Sequence, residues 1–536
     1  MSEPFRILIA DGLALEGLSK LRALSGVELI EKKQMDRQEV LQLLPSAHAL
    51  VVRSKTQVDQ QLLKVGTNLR LVIRAGIGLD NVDIKAATNA GVVVMNAPTG
   101  NIVTTAEHAI GMLFAISRRI PEADASVRTG KWEKTRFQGN EIRAKALGIV
   151  GLGNIGKAVA QRARGLEMKL CGYDPFLSPE AAAKLHVALM PLDELLSRCD
   201  YITLHVPLMD STRHMINESA IQRMKQGAYL INCARGGLVD EVALLKALES
   251  GHLAGAALDV FETEPLPKDS PLLKHPRVVM TPHLGASTEE AQVQVGLEVA
   301  EQVAEYLGSG ALRNAINVPN VSHEQLTLLK PYLNLCEAMG SFAGQADPPK
   351  TLKKIQVRFE GSLSEQNLEI LTLAMLKGLL SSTLSTPVNF VNVRKILAER
   401  GIPIEQTFST DCKQYTSLVG LKLVGEKTLS VEGTLFGRGE PRCVSIDQFD
   451  IDFLPQGDLL FTRNIDQPGV IGLMGTALGD NGVNIARMHL GRDAAKGEAI
   501  ALLAIDSRPS DAVLKTLRQI KGMLSVQPLS IQVSGG

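Results

Sequence analysis

The chain has 536 residues, with 57 Lys and Arg balanced by 57 Asp and Glu, 45% apolar residues, 47 glycines and 24 prolines. Zero formal charge withholds the attraction that most nucleic-acid binders need, and no stretch reaches the ~18 continuous apolar residues of a membrane helix. The opening MSEPFRILIADG reads as no secretory leader, and at ~150 residues per domain the length predicts three or four domains.

FRILIADG is a buried-type strand closed by Gly12, and LALEGLSKLRAL follows with apolar residues at helical spacing. HALVVRS, LRLVIRAGIG and GVVVMNAP are further strands with helical segments between them, which predicts a parallel sheet covered by helices. A long helix, IVTTAEHAIGMLFAISRRI, comes after Asn101. ALGIVGLGNIG then opens a second strand–helix series that includes YITLHVPL, AYLINCARGG, HLAGAALDVF and RVVMTPHLG. STEEAQVQVGLEVAEQVAEYLGSG reads as one amphipathic helix ended by Gly308. Two such series predict two lobes with a cleft between them. Beyond Asn317-Val318-Pro319-Asn320 the glycines thin out, and from Leu326 to Asp450 helices and β-rich runs such as KKIQVRFEG carry no chemical motif. From Gly457 a β-α-β-β-α order predicts a small domain with helices on an antiparallel sheet. The six cysteines (Cys171, Cys199, Cys233, Cys336, Cys412, Cys443) have no CxxC spacing, which argues against a metal site or a disulfide scaffold and fits a reducing, cytoplasmic location.

The strongest chemical signal is Gly151-Leu152-Gly153-Asn154-Ile155-Gly156, placed between the strand ALGIV and the helix KAVAQRARGL. Gly151 permits the tight turn, Gly153 lets the backbone approach a pyrophosphate, and Gly156 lets helix and strand pack closely. Asp174 ends the next strand, 18 residues past Gly156, where a carboxylate accepts from the adenosine ribose and favours NAD over NADP. Arg235, Glu264 and His283 follow three further strands of the same series, at the sheet edge where open α/β folds bind ligands. Removing hydride from a secondary alcohol requires a base for the hydroxyl proton, and His283 is matched to neutral pH. Glu264 can orient that imidazole and raise its pKa, while Arg235 offers a cationic fork to a carboxylate or carbonyl oxygen. In the first series, Arg53-Ser54 and Arg74-Ala75-Gly76-Ile77-Gly78 end strands that face the cleft. The Gly76-Ile77-Gly78 turn presents backbone N–H groups to a carboxylate, and Arg53 and Arg74 can hold a distal phosphate. Asn81 reads as a turn residue, and Arg394, Lys395 and Arg400 as a solvated helix face.

GLGNIG with Asp174, then NCARGG, DVFETEP and TPHLGAS, together resemble the D-2-hydroxyacid dehydrogenase family. Along its whole length the chain is similar to the long members of that family, those that oxidise 3-phosphoglycerate at the start of serine synthesis. The resemblance implies an α/β protein of two Rossmann-like lobes, followed by an α+β intervening domain and a C-terminal ferredoxin-like ACT domain. It divides the chain into a discontinuous substrate-binding lobe (1–98 and 287–318), an NAD-binding lobe (99–286), an intervening domain (319–452) that resembles an allosteric substrate-binding module, and an ACT domain (453–536). It makes Arg235 the ligand of the substrate's carboxylate and keto oxygen, His283 the acid/base and Glu264 its partner. Asn154 and Ile155 would contact the pyrophosphate, and Cys233, Ala234 and Asp259 would lie on the nicotinamide side. Val206, Pro207, Gly285 and Ala286 complete the implied cofactor contacts. In the C-terminal stretch, Asn464, Asp466 and Asn484 occupy the positions at which serine-inhibited relatives hold the amino acid, although Asn464 and Asp466 stand where some relatives carry a His and an Asn. The resemblance also implies a homo-oligomer, a dimer or tetramer. A dehydrogenase for another 2-hydroxy acid (2-hydroxyglutarate, glyoxylate or hydroxypyruvate) and an NAD-sensing binding protein remain open as alternatives.

Overall fold

Four β-sheets organise the described residues, and the connections between the first two place the cleft. The computed structural model describes residues 3–32, 35–365, 368–384, 387–437, 439–493 and 497–532. The first sheet contains β1 (Phe5–Ile9), β2 (Val27–Glu31), β3 (Ala49–Val52), β4 (Leu71–Arg74) and β5 (Val93–Asn96). They lie in the order β2-β1-β3-β4-β5, every pair parallel. Continuous apolar runs are what a sheet covered on both faces demands, and β3 and β5 are buried at every residue. The order reverses between β1 and β3, so the crevice for a ligand opens beyond Ile9 and Val52.

The second sheet holds β6 (Ala146–Val150), β7 (Lys169–Tyr173), β8 (Ala188–Leu189), β9 (Tyr201–Leu204), β10 (Ala228–Asn232), β11 (Leu253–Leu258) and β12 (Val278–Met280). Its order is β12-β11-β10-β9-β6-β7-β8, again all parallel, with the reversal between β6 and β9. The helix Ile102–Arg118 leaves the first sheet after β5 and packs beneath the second. The chain returns through the helix Glu289–Ser309, whose Val295, Val299 and Val303 rejoin the core of the first sheet. This return helix runs one turn-end further than the sequence pattern suggested. Gly308 stays helical, and Gly310, at φ +75°, supplies the left-handed cap.

The third sheet, in the order β14-β13-β15-β16-β17-β18, comprises β13 (Lys354–Gly361), β14 (Ile404–Ser409), β15 (Ser417–Val424), β16 (Thr428–Phe436), β17 (Glu440–Ile446) and β18 (Phe449–Phe453). Its edge strand β14 is parallel to β13, and the other pairs are antiparallel. The fourth sheet is antiparallel in the order β20-β21-β19-β22, from β19 (Gly457–Ile465), β20 (Ile485–Asp493), β21 (Glu498–Ile505) and β22 (Met523–Ile531). The sequence pattern reached β-α-β-β-α; β22 adds the final strand and pairs with β19. The helices Val470–Gly479 and Asp511–Arg518 cover one face of this sheet. Its other face contributes Phe461, Ile500, Leu502 and Leu529 to a core shared with the third sheet and the helix His323–Gln345. Gln345 seals the contact from that helix, donating to Ser530 O at 3.0 Å and accepting from Ser530 N at 2.9 Å. In the third sheet's layer Arg394 binds Glu369 and Lys395 pairs with Glu399, so these two cations are partnered within their own layer. No helix among the described residues is long and apolar enough to cross a membrane.

Candidate active site

The second sheet presents its strand ends to the cleft. Gly151 follows β6 at φ +92°, a conformation that favours glycine, and any Cβ there would press on His205 O and Val206. Gly153 begins the helix Asn154–Gly165, with open space where a Cβ would stand, while a Cβ on Gly156 would strike Gly151 O. The result is an unobstructed helix N-terminus, fitted to a pyrophosphate. Asp174 is held with Oδ2 accepting from Leu152 N at 2.8 Å and Oδ1 from Phe176 N at 2.9 Å. Its carboxylate is therefore fixed at the end of β7, beside the glycine turn. These residues fit a dinucleotide.

Across the sheet, His283 Nδ1 lies 2.7 Å from Glu264 Oε2, and Glu264 Oε1 accepts from Phe261 N at 3.0 Å. The bond to Glu264 raises the pKa of His283 above the usual histidine value, against the opposing effect of burial. Burial works to raise Glu264, but the bonds from His283 and Phe261 prevail and hold it below the usual carboxylate range. The pair is an imidazole whose Nδ1 is committed and whose Nε2 remains for a substrate proton. Burial first, and Asp259 second, push the Cys233 thiol up, so it stays protonated.

Arg235 leaves β10 through a turn fixed by Asn232, which accepts from Ala234 N and donates to Arg235 O. The guanidinium donates from Nε to Asp80 Oδ2 at 2.9 Å and from Nη1 to Ala234 O at 2.6 Å. Nη2 occupies the space that a Cβ on Gly78 would fill, and a Cβ on Gly76 would overlap Arg74 Nη1. The two glycines thus admit two guanidiniums. Of the three amides expected to serve a carboxylate, that of Gly76 donates to Arg74 O at 2.8 Å. Ile77 is held through its carbonyl, which accepts from Asn96 Nδ2 at 2.7 Å.

Arg74 is half-buried, and its buried Nε has no partner among the described residues. Burial first, and the neighbouring Arg235 and Arg53 second, depress its pKa to about 10. Arg53 follows β3 with its N–H bonded to Asp11 Oδ2 at 2.7 Å; beside it Ser54 is exposed. Asn81, expected as a turn residue, is a buried brace that donates to Arg53 O at 2.8 Å and Thr56 O at 2.6 Å. Arg53 also lines a cavity of about 510 Å³ with Ser287, Thr288 and Gln292, at the start of the return helix. Gln292 Nε2 fixes that approach by donating to Ala286 O. Pro207 O, beyond β9, is taken by the Thr212 hydroxyl.

Two comparisons with known families now apply. The family model for the NAD-binding domain of D-isomer specific 2-hydroxyacid dehydrogenases matches residues 110–285, and that for the D-3-phosphoglycerate dehydrogenase intervening domain matches 328–447. D-3-phosphoglycerate dehydrogenase of Archaeoglobus fulgidus is 41% identical over 97% of this chain and 98% of its own. The Bacillus subtilis enzyme of that name is 40% identical over 98% of this chain and 100% of its own. The chain belongs to the D-3-phosphoglycerate dehydrogenase family. Among solved structures, a glyoxylate reductase from Paecilomyes thermophila superposes with a TM-score of 0.54 at 31% identity, covering 59% of this chain and 99% of that one. A D-3-phosphoglycerate dehydrogenase chain therefore carries the two lobes of that shorter enzyme plus two C-terminal sheets, and its cofactor is NAD.

Sequence reasoning passed over several groups that this family frame makes important. Asp80 and Asn232 bond to Arg235, while His108 and Thr281 bond to Asp259; Asn232 and Thr281 lie inside the NCARGG and TPHLGAS motifs, and Asp80 and His108 carried no motif of their own. In the fourth sheet the three effector candidates do not bond to one another: Asp466 pairs with Arg492 and Asn484 donates to Asp506, while Asn464 Oδ1 is buried without a partner among the described residues.

Proposed function

We propose that this chain oxidises 3-phospho-D-glycerate to 3-phosphohydroxypyruvate with NAD, the entry into serine synthesis. The observation that carries it is the set of three guanidiniums, Arg53, Arg74 and Arg235, facing one cleft, with the buried Nε of Arg74 lacking a partner among the described residues. A substrate with a carboxylate at one end and a phosphate at the other supplies the missing anions. Arg235 and the Gly76-Ile77-Gly78 turn take the carboxylate, and Arg235 also the oxygen at C2, while Arg53 and Arg74, with Ser54, take the phosphate end. His283 Nε2 accepts the hydroxyl proton as the C2–O bond becomes a carbonyl, and Glu264 stabilises the imidazolium that results. Bound NAD supplies the hydride acceptor, held by Gly151 to Gly156, Asp174, Val206, Pro207, Cys233, Ala234, Gly285 and Ala286, with the buried Asp259 supporting the cofactor side from behind. The reaction balances as hydroxy acid and NAD giving keto acid, NADH and one proton.

The division into lobes at 1–98 with 287–318 and 99–286, and into C-terminal domains at 319–452 and 453–536, is part of this reading. Serine acts as feedback effector at Asn464, Asp466 and Asn484, a role supported by the orphaned Oδ1 of Asn464, whose residue is only 3% exposed. The protein works in the cytoplasm as a homo-oligomer. Ile120, Val127 and Trp132, at 52%, 54% and 76% exposure on one arm of the second lobe, supply an apolar surface for a second copy.

The test is NADH formation with 3-phosphoglycerate beside malate, lactate and 2-hydroxyglutarate, each with and without serine. The expected result is turnover confined to the phosphorylated acid and lowered by serine. Turnover only with an unphosphorylated acid overturns the phosphate role of Arg53 and Arg74.

A further inference from the structure

Asp259 ends β11 with no exposed surface, and its carboxylate is the hub of the His283 loop. Oδ1 accepts from Leu284 N at 2.7 Å and from the Thr281 hydroxyl at 2.5 Å; Oδ2 accepts from Gly285 N at 2.8 Å. The main-chain oxygen of Asp259 accepts from His283 N at 2.9 Å. Three consecutive amides are thus gathered on one residue, and His283, the first of the three, sits at φ +56°. That left-handed conformation costs a non-glycine residue about 1–2 kcal/mol, and it persists only where neighbouring bonds enforce it.

One ionisable donor reaches this hub among the described residues. His108, on the helix Ile102–Arg118, places Nε2 3.1 Å from Asp259 Oδ1 and 3.1 Å from Thr281 Oγ1. The Thr281 hydroxyl hydrogen already points to Asp259, so its oxygen accepts and His108 Nε2 carries the hydrogen. No Lys or Arg forms an ion pair with Asp259 among the described residues, so His108 is the ionisable side chain that joins the two amides and the Thr281 hydroxyl in stabilising its buried charge. We propose that His108 is a positioning residue for the dehydrogenation: by donating to Asp259 and Thr281 it fixes the left-handed His283 loop and tempers the field that Asp259 exerts on the imidazole. His108 touches neither substrate nor the reacting atoms. The inference rests on the reading of His283 as the acid/base group.

The ionisable groups facing His283 are Glu264 and Asp259, which favour its protonated form, and Arg235, which opposes it. Those facing Asp259 include His108, the protonated Cys233, Glu264 and His283 itself. Removing the His108 donor leaves the carboxylate less compensated, so its pull on His283 grows. Oxidation needs the neutral imidazole, and its acid limb then moves to higher pH.

The experiment measures kcat, the KM for NAD and the pH profile of kcat/KM for His108→Ala, His108→Gln and Thr281→Val, with the hydroxy acid that the wild-type enzyme oxidises best. His108→Ala is expected to lower kcat about 10- to 100-fold, a range usual for lost outer-shell support of an active-site group. Its NAD KM should change less than about threefold, a difference under 0.7 kcal/mol, while the acid limb moves to higher pH. His108→Gln, which keeps a side-chain donor, should recover most of kcat, and Thr281→Val should shift the limb in the same direction. Wild-type kcat with an unmoved limb in His108→Ala overturns the proposal, as does an equal loss in His108→Gln with an unmoved limb. If His108→Ala does not fold, the His108→Gln and Thr281→Val profiles decide it by the same criteria. A wild-type enzyme that oxidises no hydroxy acid instead defeats the reading of His283, a separate outcome visible before any variant is made.

Discussion

Asp80 and Arg235, 155 positions apart, meet at 2.9 Å between Oδ2 and Nε. Asp80 belongs to the turn after β4 and Arg235 to the turn after β10, so the pair joins the edges of the two parallel sheets. With Nε on Asp80 and Nη1 on Ala234 O, the guanidinium is oriented before any substrate arrives.

Asp80→Asn keeps the size of the side chain but removes the charge that holds the fork. Exposed ion pairs contribute ~0–1 kcal/mol to stability, so the fold should persist. A misaligned guanidinium should instead lower kcat/KM about tenfold, mainly through KM for the hydroxy acid. Steady-state kinetics with melting curves separates the two effects.

Glu264→Gln tests the coupling at the imidazole. The raised pKa of His283 is due first to Glu264, so the variant should bring it down toward the ordinary value of about 6.5. Oxidation uses the neutral ring, and its acid limb should move to lower pH. Reduction uses the protonated ring, so its basic limb should fall as well. Because ring orientation is lost together with the charge, kcat should drop in both directions. Profiles of kcat/KM in each direction provide the check.

Glu298 lies on the return helix, 5% exposed, and binds the segment that crosses between the lobes. It accepts from Thr99 N at 3.1 Å, the Thr99 hydroxyl at 2.7 Å and Asn314 Nδ2 at 3.1 Å. Glu298→Ala leaves those donors buried and unmet, at about 1–3 kcal/mol for each group that water cannot reach. The expected result is a melting temperature lower by several degrees, with a larger fall in kcat/KM than in NAD affinity. Calorimetry and NAD titration measure both.

Phe342 joins the third and fourth sheets, its ring 5.4 Å from Phe453 and 5.5 Å from Phe461. Truncation to Ala costs about 3–5 kcal/mol in such a core. Since both sheets share that core, they should lose structure in one transition, earlier than in the wild type, while the two parallel sheets melt unchanged. Hydrogen exchange resolved by segment checks this.

The parallel sheets were readable because their strands are continuous apolar runs, and the GLGNIG turn because strand, glycines and helix are contiguous. Asp80, His108 and Glu298 were not singled out, since each acts through partners that only the fold brings close. His108 and Asp259 are 151 positions apart, and Thr99 and Glu298 are 199. The glycines of Gly76-Ile77-Gly78 also serve in a second way, through the missing Cβ beside two guanidiniums. Sequence could not reveal that, because Arg74 and Arg235 come from different sheets. The strand β22 was missed because its pattern is broken by Pro528, tolerated at the sheet edge.

The most direct test of the account compares kcat/KM for 3-phosphoglycerate with that for D-glycerate, which has the same carbon skeleton and no phosphate. Binding a phosphate between half-buried arginines should favour the phosphorylated acid by about a thousandfold, the ~4 kcal/mol typical of a desolvated charge left unpaired. A ratio near one would contradict the assignment of Arg53 and Arg74, and with it the substrate.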